Sequence, residues 1–267
     1  MSGAGRLIAV ADDADAVNLL FRKQRWTDGL PIVPPTRERV ERMLSHCGYP
    51  PDEVIARIAP AFGEATAEGI AVNAVMAGCD PGYLPVLIAA VEAISTPEFN
   101  LQGIQTTTNP SAVWLLVNGP IASRLGMNAG INCLGPGNWA NATLGRALHL
   151  VMQNIGGALA GEMDRATMGQ PGKYLFCCAE NEAANPWQPL HVERGFAADE
   201  SVVTVIGAEG SLNLNTHCKD AAEILRIFAE TLVRPSGNDY YLCGQPWLII
   251  SPETAQILCG AGLAKAD

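Results

Sequence analysis

The sequence predicts an α/β protein with a mixed or mostly parallel sheet flanked by helices, preceded by an N-terminal helical and extended segment. Its 267 residues are 48% hydrophobic and 16% charged, which is enough apolar material for a large buried core. Beyond residue 104, short strand-like runs alternate with helix-period segments, the pattern of a sheet with helices on its faces. A proline-rich stretch sets the N-terminus apart. We therefore expect an extension over residues 1–50 and a single α/β domain over residues 51–267.

The N-terminal half is predicted to be mostly helical. Residues 28–36 are extended because their prolines fix φ and lack an N–H group, and Thr36 then caps the following helix. Residues 67–77 mix small and β-branched side chains, so they fit either a strand or a buried helix. The other expected elements are helices over residues 12–24, 36–44 and 81–96 and a strand over residues 55–62.

The C-terminal half carries the clearer alternation of strands and helices. The connection over residues 156–172 is glycine-rich and long for a compact domain, so we expect it to form part of a site or a partner surface. Strands are predicted at 104–108, 113–118, 173–179, 201–207 and 246–251, with helices at 139–155, 219–233 and 252–262.

The charge balance argues against two classes of partner. The chain carries 27 acidic and 17 basic residues, a net charge of -10, which disfavours an extended basic face for nucleic acid or an anionic membrane. No apolar run is long enough to span a bilayer, and acidic residues interrupt the N-terminus before a signal-like apolar core forms. We expect a cytoplasmic protein that binds neither nucleic acid nor membrane, and an anionic substrate then needs local rather than global attraction.

The eight cysteines are expected to be reduced thiols. There is no secretion signal, and the adjacent Cys177 and Cys178 would form a strained bridge. No pair has the C-x-x-C or H-x-x-x-H spacing of a zinc site, so no metal is expected. Neither a G-x-G-x-x-G turn after a strand nor a G-x-x-x-x-G-K-[ST] loop is present, so no cofactor is expected.

The most informative stretch, residues 130–150, places a glycine-rich polar turn directly before an apolar-periodic helix. The first turn of a helix presents unpaired N–H groups and partial positive charge, so it binds anions. We therefore expect a small carboxylate- or phosphate-bearing substrate here. An alternative interpretation is a tight loop with Asn138 as helix cap, and a structural ion pair for Arg146. The expected substrate-binding residues are Asn132, Gly135, Gly137, Asn138, Asn141 and Arg146.

Acid–base candidates follow the strand predicted at 173–179. In an extended chain Glu180 and Glu182 project to one side and can divide acid and base duties if burial separates their pKa values. His191 is a third titratable group nearby in sequence. The alternative is a solvated Glu182 and a structural His191 beside Trp187.

Two cysteines are candidate nucleophiles. Cys218 precedes a predicted helix and follows His217, and both features favour the thiolate. The alternative is that Thr216 or Asp220 simply caps that helix. Cys79 also precedes a helix, next to Gly78, but small thiols in apolar segments usually belong to the core.

A family resemblance is carried by the segments Asp28–Thr36, Asn73–Glu92, Asn132–Arg146, Pro171–Phe196 and Ser251–Asp267. On these segments the chain resembles a bacterial family associated with (seleno)proteins that carry a UGSC motif. The likeness covers most of the chain, yet no Cys-Gly-Ser-Cys or equivalent motif is present, Thr254 stands in place of a histidine, and the sequence stops at Asp267, where a helix is expected to continue. The resemblance thus implies that the missing motif belongs to a second polypeptide and that this chain is one subunit of a heteromeric enzyme.

Together these observations predict a cytoplasmic enzyme subunit that holds a small anionic substrate at the turn. Glu180 and His191 would supply acid–base, addition–elimination or hydrolytic chemistry. The alternative is a noncatalytic assembly subunit of a heteromeric thiol-dependent oxidoreductase.

Overall fold

The computed structural model describes residues 7–233 and 244–267. Within these ranges the chain divides into two compact units. Unit 1 comprises the described residues up to Glu180 together with Asp199–Gly210, and unit 2 comprises Asn181–Ala198 and the described residues from Ser211 onwards.

Unit 1 contains seven α-helices and five strands among its described residues. Its helices are α1 (Ala14–Gln24), α2 (Arg37–Leu44), α3 (Ala67–Ala77), α4 (Leu84–Ile94), α5 (Leu101–Thr106), α6 (Pro120–Arg124) and α7 (Trp139–Asn154). Its strands are β1 (Val54–Ile58), β2 (Gly63–Thr66), β3 (Ala112–Asn118), β4 (Cys177–Ala179) and β5 (Val202–Ala208).

The central sheet confirms the mixed α/β class. Its strand order is β4-β3-β5, with β3 parallel to β4 and antiparallel to β5, so the sheet is mixed rather than mostly parallel. A separate antiparallel hairpin joins β1 to β2. Because side chains alternate along a strand, Trp114, Leu116 and Asn118 of β3 face one side, and Cys178 of β4, paired with Leu116, faces the same side.

The core of unit 1 lies between the other face of this sheet and three apolar helices. Val113, Leu115 and Val117 of β3 join the main core cluster. Helix α3 packs against α2 and α7, α4 packs against β5, and α7 packs against β4. Gly145 permits the last contact, because a Cβ atom there would lie 2.9 Å from the backbone nitrogen of Phe176.

Residues 67–77 resolve the ambiguity between strand and helix in favour of a helix. The Thr66 side chain accepts a hydrogen bond from the Gly69 N–H at 3.1 Å, which caps the N-terminus of α3. Gly78 ends the helix in the left-handed conformation, with φ of 91°. Local capping signals therefore set both ends of α3, and burial of its apolar side chains stabilises the helix between them.

The N-terminal residues follow their sequence prediction in α1, α2 and the extended link between them. Val17, Ile32, Val40 and Met43 belong to the main core cluster of unit 1. These residues therefore share a core with the central helices, and a separate extension over residues 1–50 stays a prediction.

Four predicted strands differ from the structure. The strand expected at 55–62 ends at Ile58. Residues 101–106 form α5, capped by Asn100, in place of the strand expected at 104–108. The strand expected at 173–179 begins with a 3-10 turn, Pro171–Lys173, and is extended only over Cys177–Ala179. The strand expected at 246–251 is absent, because residues 244–251 pair with no strand among the described residues.

The long connection 156–172 is held by side-chain and backbone contacts. Arg25 forms an ion pair with Glu162, and the Thr167 N–H donates to the Thr108 carbonyl at 2.9 Å. Asp164, which is 9% exposed, accepts from Lys173 at 2.9 Å. The segment is thus an ordered part of unit 1.

Unit 2 contains three helices among its described residues: α8 (Leu190–Glu193), α9 (Ala221–Leu232) and α10 (Pro252–Gly260). Ile224, Phe228 and Leu258 form its core cluster.

The end of α10 corrects the expectation that this helix continues. Gly262 has φ of 85°, its N–H bonds to the Cys259 carbonyl, and the Leu263 N–H bonds to the Leu258 carbonyl. This pair of bonds is the Schellman arrangement that satisfies the last carbonyls of a helix. The helix is therefore closed by its own sequence.

Across the described ranges, no single helix is both long and apolar enough to cross a bilayer. One helix pair, Pro81–Ile94 with Pro97–Thr106, meets the length and composition criteria jointly but is bent by 72°.

Candidate active site

Polar side chains meet where the parallel strands β3 and β4 end. The Asn118 Nδ2 atom donates to the Glu180 Oε2 atom at 2.5 Å, and the Glu180 N–H bonds to the Val117 carbonyl at 3.1 Å. Glu180 therefore extends the β3–β4 ladder by one residue. Ligands of open α/β sheets bind at this carboxyl edge, so the edge is the first place to look for a site.

A turn formed by residues 128–138, which we call the Cys133 turn, is fastened to the same edge. The Ala179 N–H donates to the Asn128 carbonyl at 3.3 Å. Asn141, only 3% exposed, donates from Nδ2 to the carbonyls of Asn128 and Cys133 at 2.9 and 3.0 Å and accepts from the Asn128 N–H. One buried amide thus fixes the turn against α7.

The Cys133 turn brings Cys133 into hydrogen-bond contact with Cys178 of β4. The Cys178 thiol lowers the pKa of Cys133 to about 6, assisted by backbone N–H groups of Cys133 and Leu134 and opposed by burial. Cys133 is half-buried, so solvent can reach a thiol whose pKa is lowered.

Cys178 has the opposite character. It is 4% exposed, and its hydrogen bond with Cys133, burial and the Cys133 charge raise the pKa of Cys178 far above its ordinary range. A contact with the indole of Trp114 acts in the lowering direction. The pair therefore combines a half-buried cysteine with a lowered pKa and a buried cysteine with a raised pKa.

The asparagines expected to bind an anion instead hold the turn together. Asn138 is the helix cap, accepting from the Asn141 N–H at 2.9 Å and donating to the Gly126 carbonyl at 2.8 Å. Asn132 donates to the Pro136 carbonyl at 2.8 Å. Their amides thus make the contacts of the alternative interpretation, in which Asn138 caps the helix, and anion binding stays a prediction.

The two glycines of the turn that were expected to bind substrate, Gly135 and Gly137, have different reasons to be glycine. Gly137 has φ of 124°, a conformation that side chains rarely adopt, and the space around it is open. At Gly135 an added Cβ would lie 2.1 Å from the Asn132 Oδ1 atom. Gly135 thus keeps Asn132 in place, and Gly137 permits the turn into α7.

Arg146 lies next to a carboxylate of its own chain. Its Nε and Nη2 atoms donate to the two Asp28 carboxylate oxygens at 2.8 and 2.9 Å, and Nη2 also donates to the Pro31 carbonyl. Burial raises the pKa of Asp28, but the hydrogen bonds and charge of Arg146 outweigh it, and the pKa is lowered overall. The structure thus shows the ion-pair alternative for Arg146.

Cys79 lies in the core of unit 1 and is 9% exposed. Burial raises the pKa of its thiol to about 12, although a hydrogen bond with Thr143 opposes the change. At neutral pH Cys79 is therefore a neutral core thiol, which matches its alternative interpretation.

Glu182 and His191 belong to unit 2, whereas Glu180 belongs to unit 1. Glu182 begins a 3-10 turn, so the extended geometry expected to align it with Glu180 is absent. His191 is 2% exposed, and its Nδ1 atom lies 3.7 Å from Glu182 Oε1. That separation is too long for a hydrogen bond and becomes an ion pair only when the imidazole is protonated.

His217 and Cys218 also lie in unit 2, before α9. His217 is exposed, and Cys218 packs beside the core cluster of unit 2. Asp220 caps α9 by accepting from the Glu223 N–H at 2.9 Å. Two residues thus separate Cys218 from the first residue of the helix, and Asp220 provides the cap that the alternative interpretation expected.

A small polar cavity lies beside residues 145–152 of α7, away from the end of the helix that adjoins the Cys133 turn. It has room for about one water molecule, and burial lowers the pKa of His149 beside it to about 4. Its lining includes Gln105, Ser111, His149 and Lys173.

Cys133 is the residue that sequence reasoning missed. Its position in a glycine-rich turn before a helix was visible, but nothing in the sequence pairs it with Cys178. Apart from Cys243, which lies outside the described residues, every cysteine carries a free thiol. In the described part of the chain, no group of three or more His, Cys, Asp or Glu side chains is arranged to hold a metal ion.

Comparison of the chain with protein-family models, curated proteins and solved structures finds no match. The functional argument therefore depends on the site itself.

Proposed function

We propose that this chain is a thiol-dependent oxidoreductase whose reactive group is the dithiol formed by Cys133 and Cys178. What carries the proposal is the contact between a half-buried cysteine whose pKa is lowered and a buried cysteine whose pKa is raised, at the carboxyl edge of parallel strands. An attacking thiol needs a low pKa and access, while its resolving partner needs only proximity. The two cysteines meet these separate requirements.

The proposed reaction reduces a disulfide in two exchanges. The Cys133 thiolate attacks one sulfur of the substrate disulfide, breaking its S–S bond and releasing one thiolate, which takes a proton from solvent. Cys178 then loses its proton and attacks the Cys133 sulfur, releasing the second substrate thiol. The dithiol gives up two electrons and the substrate disulfide receives them.

A cytoplasmic location belongs to the same proposal. Reducing conditions there regenerate the dithiol by exchange with abundant small thiols. The chemistry needs no metal or organic cofactor, because both electrons come from the cysteine pair.

The direct test mixes the reduced protein with hydroxyethyl disulfide and counts the thiols released. We expect about two equivalents, and a bond between the tryptic peptides 125–146 and 174–194, which carry Cys133 and Cys178. Cys133→Ser should abolish the release, whereas Cys218→Ser should leave it unchanged. Unchanged release from the Cys133→Ser protein would overturn the proposal.

A second candidate function is acid–base chemistry on a small carboxylate or phosphate compound. The 2.5 Å hydrogen bond that holds Glu180 at the strand edge favours it, because a general acid or base must be positioned. Inorganic phosphate or malonate should then raise the melting temperature of the wild type. No change with either anion would reject this candidate.

We also propose, from the family resemblance alone, that a second polypeptide associates with this chain. Light scattering of the chain alone and after co-expression with its genomic neighbours tests the association. Full disulfide reductase activity of the isolated chain, with no increase in mass on co-expression, would reject it.

A further inference from the structure

The proposed dithiol reaction leaves one chemical problem in its second step. Cys178 must become a thiolate to attack Cys133, but it is buried and holds its proton in the resting structure. A buried thiol in such a position requires a nearby group that takes the proton as the new S–S bond forms.

The register of β4 places Glu180 on the required side of the sheet. The Glu180 N–H bonds to the Val117 carbonyl, so the extended pairing continues through residue 180. Residues two apart in a strand share a face, and their Cα atoms lie about 6.6 Å apart. The side chains of Cys178 and Glu180 therefore project from the same face of the sheet.

Asn118 fixes the carboxylate on this face. Val117 pairs with Ala179, so Asn118 and Glu180 are the next cross-strand neighbours, and the Asn118 amide donates to Glu180 Oε2 at 2.5 Å. Asn118 itself is fully buried. This contact holds the Glu180 carboxylate at the strand edge beside the dithiol.

Strands β3 and β5 and the Cys133 turn supply no competing carboxylate or imidazole. Strands β3 and β5 contain no charged residue or histidine, and neither does the stretch 125–145, which includes the Cys133 turn. Among these elements and β4 with its extension, Glu180 is the one carboxylate.

We propose that Glu180 accepts the Cys178 proton, through one bridging water, during closure of the Cys133–Cys178 disulfide. The Cys178 S–H bond breaks, its proton passes to the Glu180 carboxylate, and the Cys178 sulfur displaces the substrate thiolate from Cys133. The departing thiolate takes up a proton, and Glu180 returns its own to solvent. This step rests on the proposed dithiol function.

The test separates the two exchanges with a chromogenic aromatic disulfide, whose two thiols are released in sequence. In Glu180→Gln the first release should stay within about twofold of the wild type, since Cys133 is unchanged. The second should slow on the order of 10²-fold, the usual contribution of a general base. Mass spectrometry should then find the mixed disulfide on Cys133.

Two further variants exclude a structural explanation. The amide oxygen of Glu180→Gln can still accept from Asn118, and Glu180→Asp retains a carboxylate, so we expect the aspartate variant to recover part of the closure rate. Closure in the glutamine variant should also accelerate with rising pH as hydroxide replaces the lost base. Glu182→Gln, a matched change in unit 2, should close at the wild-type rate.

The outcomes distinguish the two proposals. A wild-type protein that releases no thiol at all would overturn the dithiol function and this step with it. A normal first release followed by equally fast closure in Glu180→Gln would overturn the assignment of Glu180 alone.

Discussion

Arg146 and Asp28 form a two-point ion pair that joins helix α7 to the proline-rich segment. The two hydrogen bonds measure 2.8 and 2.9 Å, and the side chains are 13% and 1% exposed, respectively. Gln153 adds to the same junction by donating to the carbonyls of Arg25 and Thr27. Polar contacts thus join this part of the chain to the central helix, beside the apolar contact of Ile32 with the core.

Breaking this ion pair should destabilise the protein strongly. Asp28→Asn leaves the Arg146 guanidinium largely buried without its counter-charge, which costs about 3–5 kcal/mol. Glu64→Gln is the control, because the Arg57–Glu64 pair is exposed and worth less than about 1 kcal/mol. Urea unfolding at pH 7 measures both. Equal losses in the two variants would contradict the argument.

The same pair should contribute a defined pH dependence. The pKa of Asp28 is lowered from 3.8 in the folded protein, so its stabilisation is fully present above that value. It is lost as the pH falls through the lower folded-state pKa. The stability difference between wild type and Asp28→Asn should therefore be constant near neutrality and shrink below pH 3.8. If the stability difference between the two proteins instead grew on acidification, the pKa of Asp28 would be raised by folding and not lowered.

The reactivity of Cys133 should depend on Cys178. Alkylation of Cys133 by iodoacetamide, followed on peptide 125–146, should rise with pH through an inflection near 6, well below that of an ordinary cysteine. Cys178→Ala removes the donor that stabilises the thiolate, so the inflection should move to higher pH. Cys178→Ser retains a hydroxyl donor, so its inflection should lie between those of the wild type and Cys178→Ala. An unmoved inflection in Cys178→Ala would show that another group sets the pKa.

The turn into α7 should tolerate a side chain at one glycine but not at another. Gly137→Ala forces a side chain into a conformation with φ of 124°, at a cost of about 1–3 kcal/mol. Gly130 lies in the same turn without positive φ, and an added Cβ would rest 3.7 Å from Asn128 Oδ1. Gly130→Ala should therefore change stability by less than about 0.5 kcal/mol. Thermal unfolding measures the stability of both variants. A Gly130→Ala protein less stable than Gly137→Ala would contradict this argument.

Local chemistry made several elements predictable. Thr36 caps α2 and Asn138 caps α7 through bonds to residues three positions away, so their sequence neighbourhood contains the whole interaction. The same holds for the proline-rich segment, whose backbone conformation is restricted residue by residue. The mixed α/β class followed from this alternation of locally encoded elements.

Elements that depend on distant partners were harder to predict. Residues 101–106 form a helix that Asn100 caps locally, although their composition also fits a strand, and Leu101 and Gln105 are buried against the rest of unit 1. Residues 247–249 look like a strand but form none, and their side chains stay exposed. A strand needs a neighbour for its backbone hydrogen bonds, and the sequence of the strand does not name that neighbour.

The sequence by itself determined the glycine turn, the helix that follows it and Glu180 at the end of a strand. Only the tertiary structure decided what these residues contact. Asp28 and Arg146 lie 118 positions apart, and Asn118 and Glu180 lie 62 apart, so their pairing depends on helix packing and sheet register. The contact between Cys133 and Cys178 arises in the same way. A pKa is set by the charges, donors and burial around a group, and those surroundings exist only once the chain has folded.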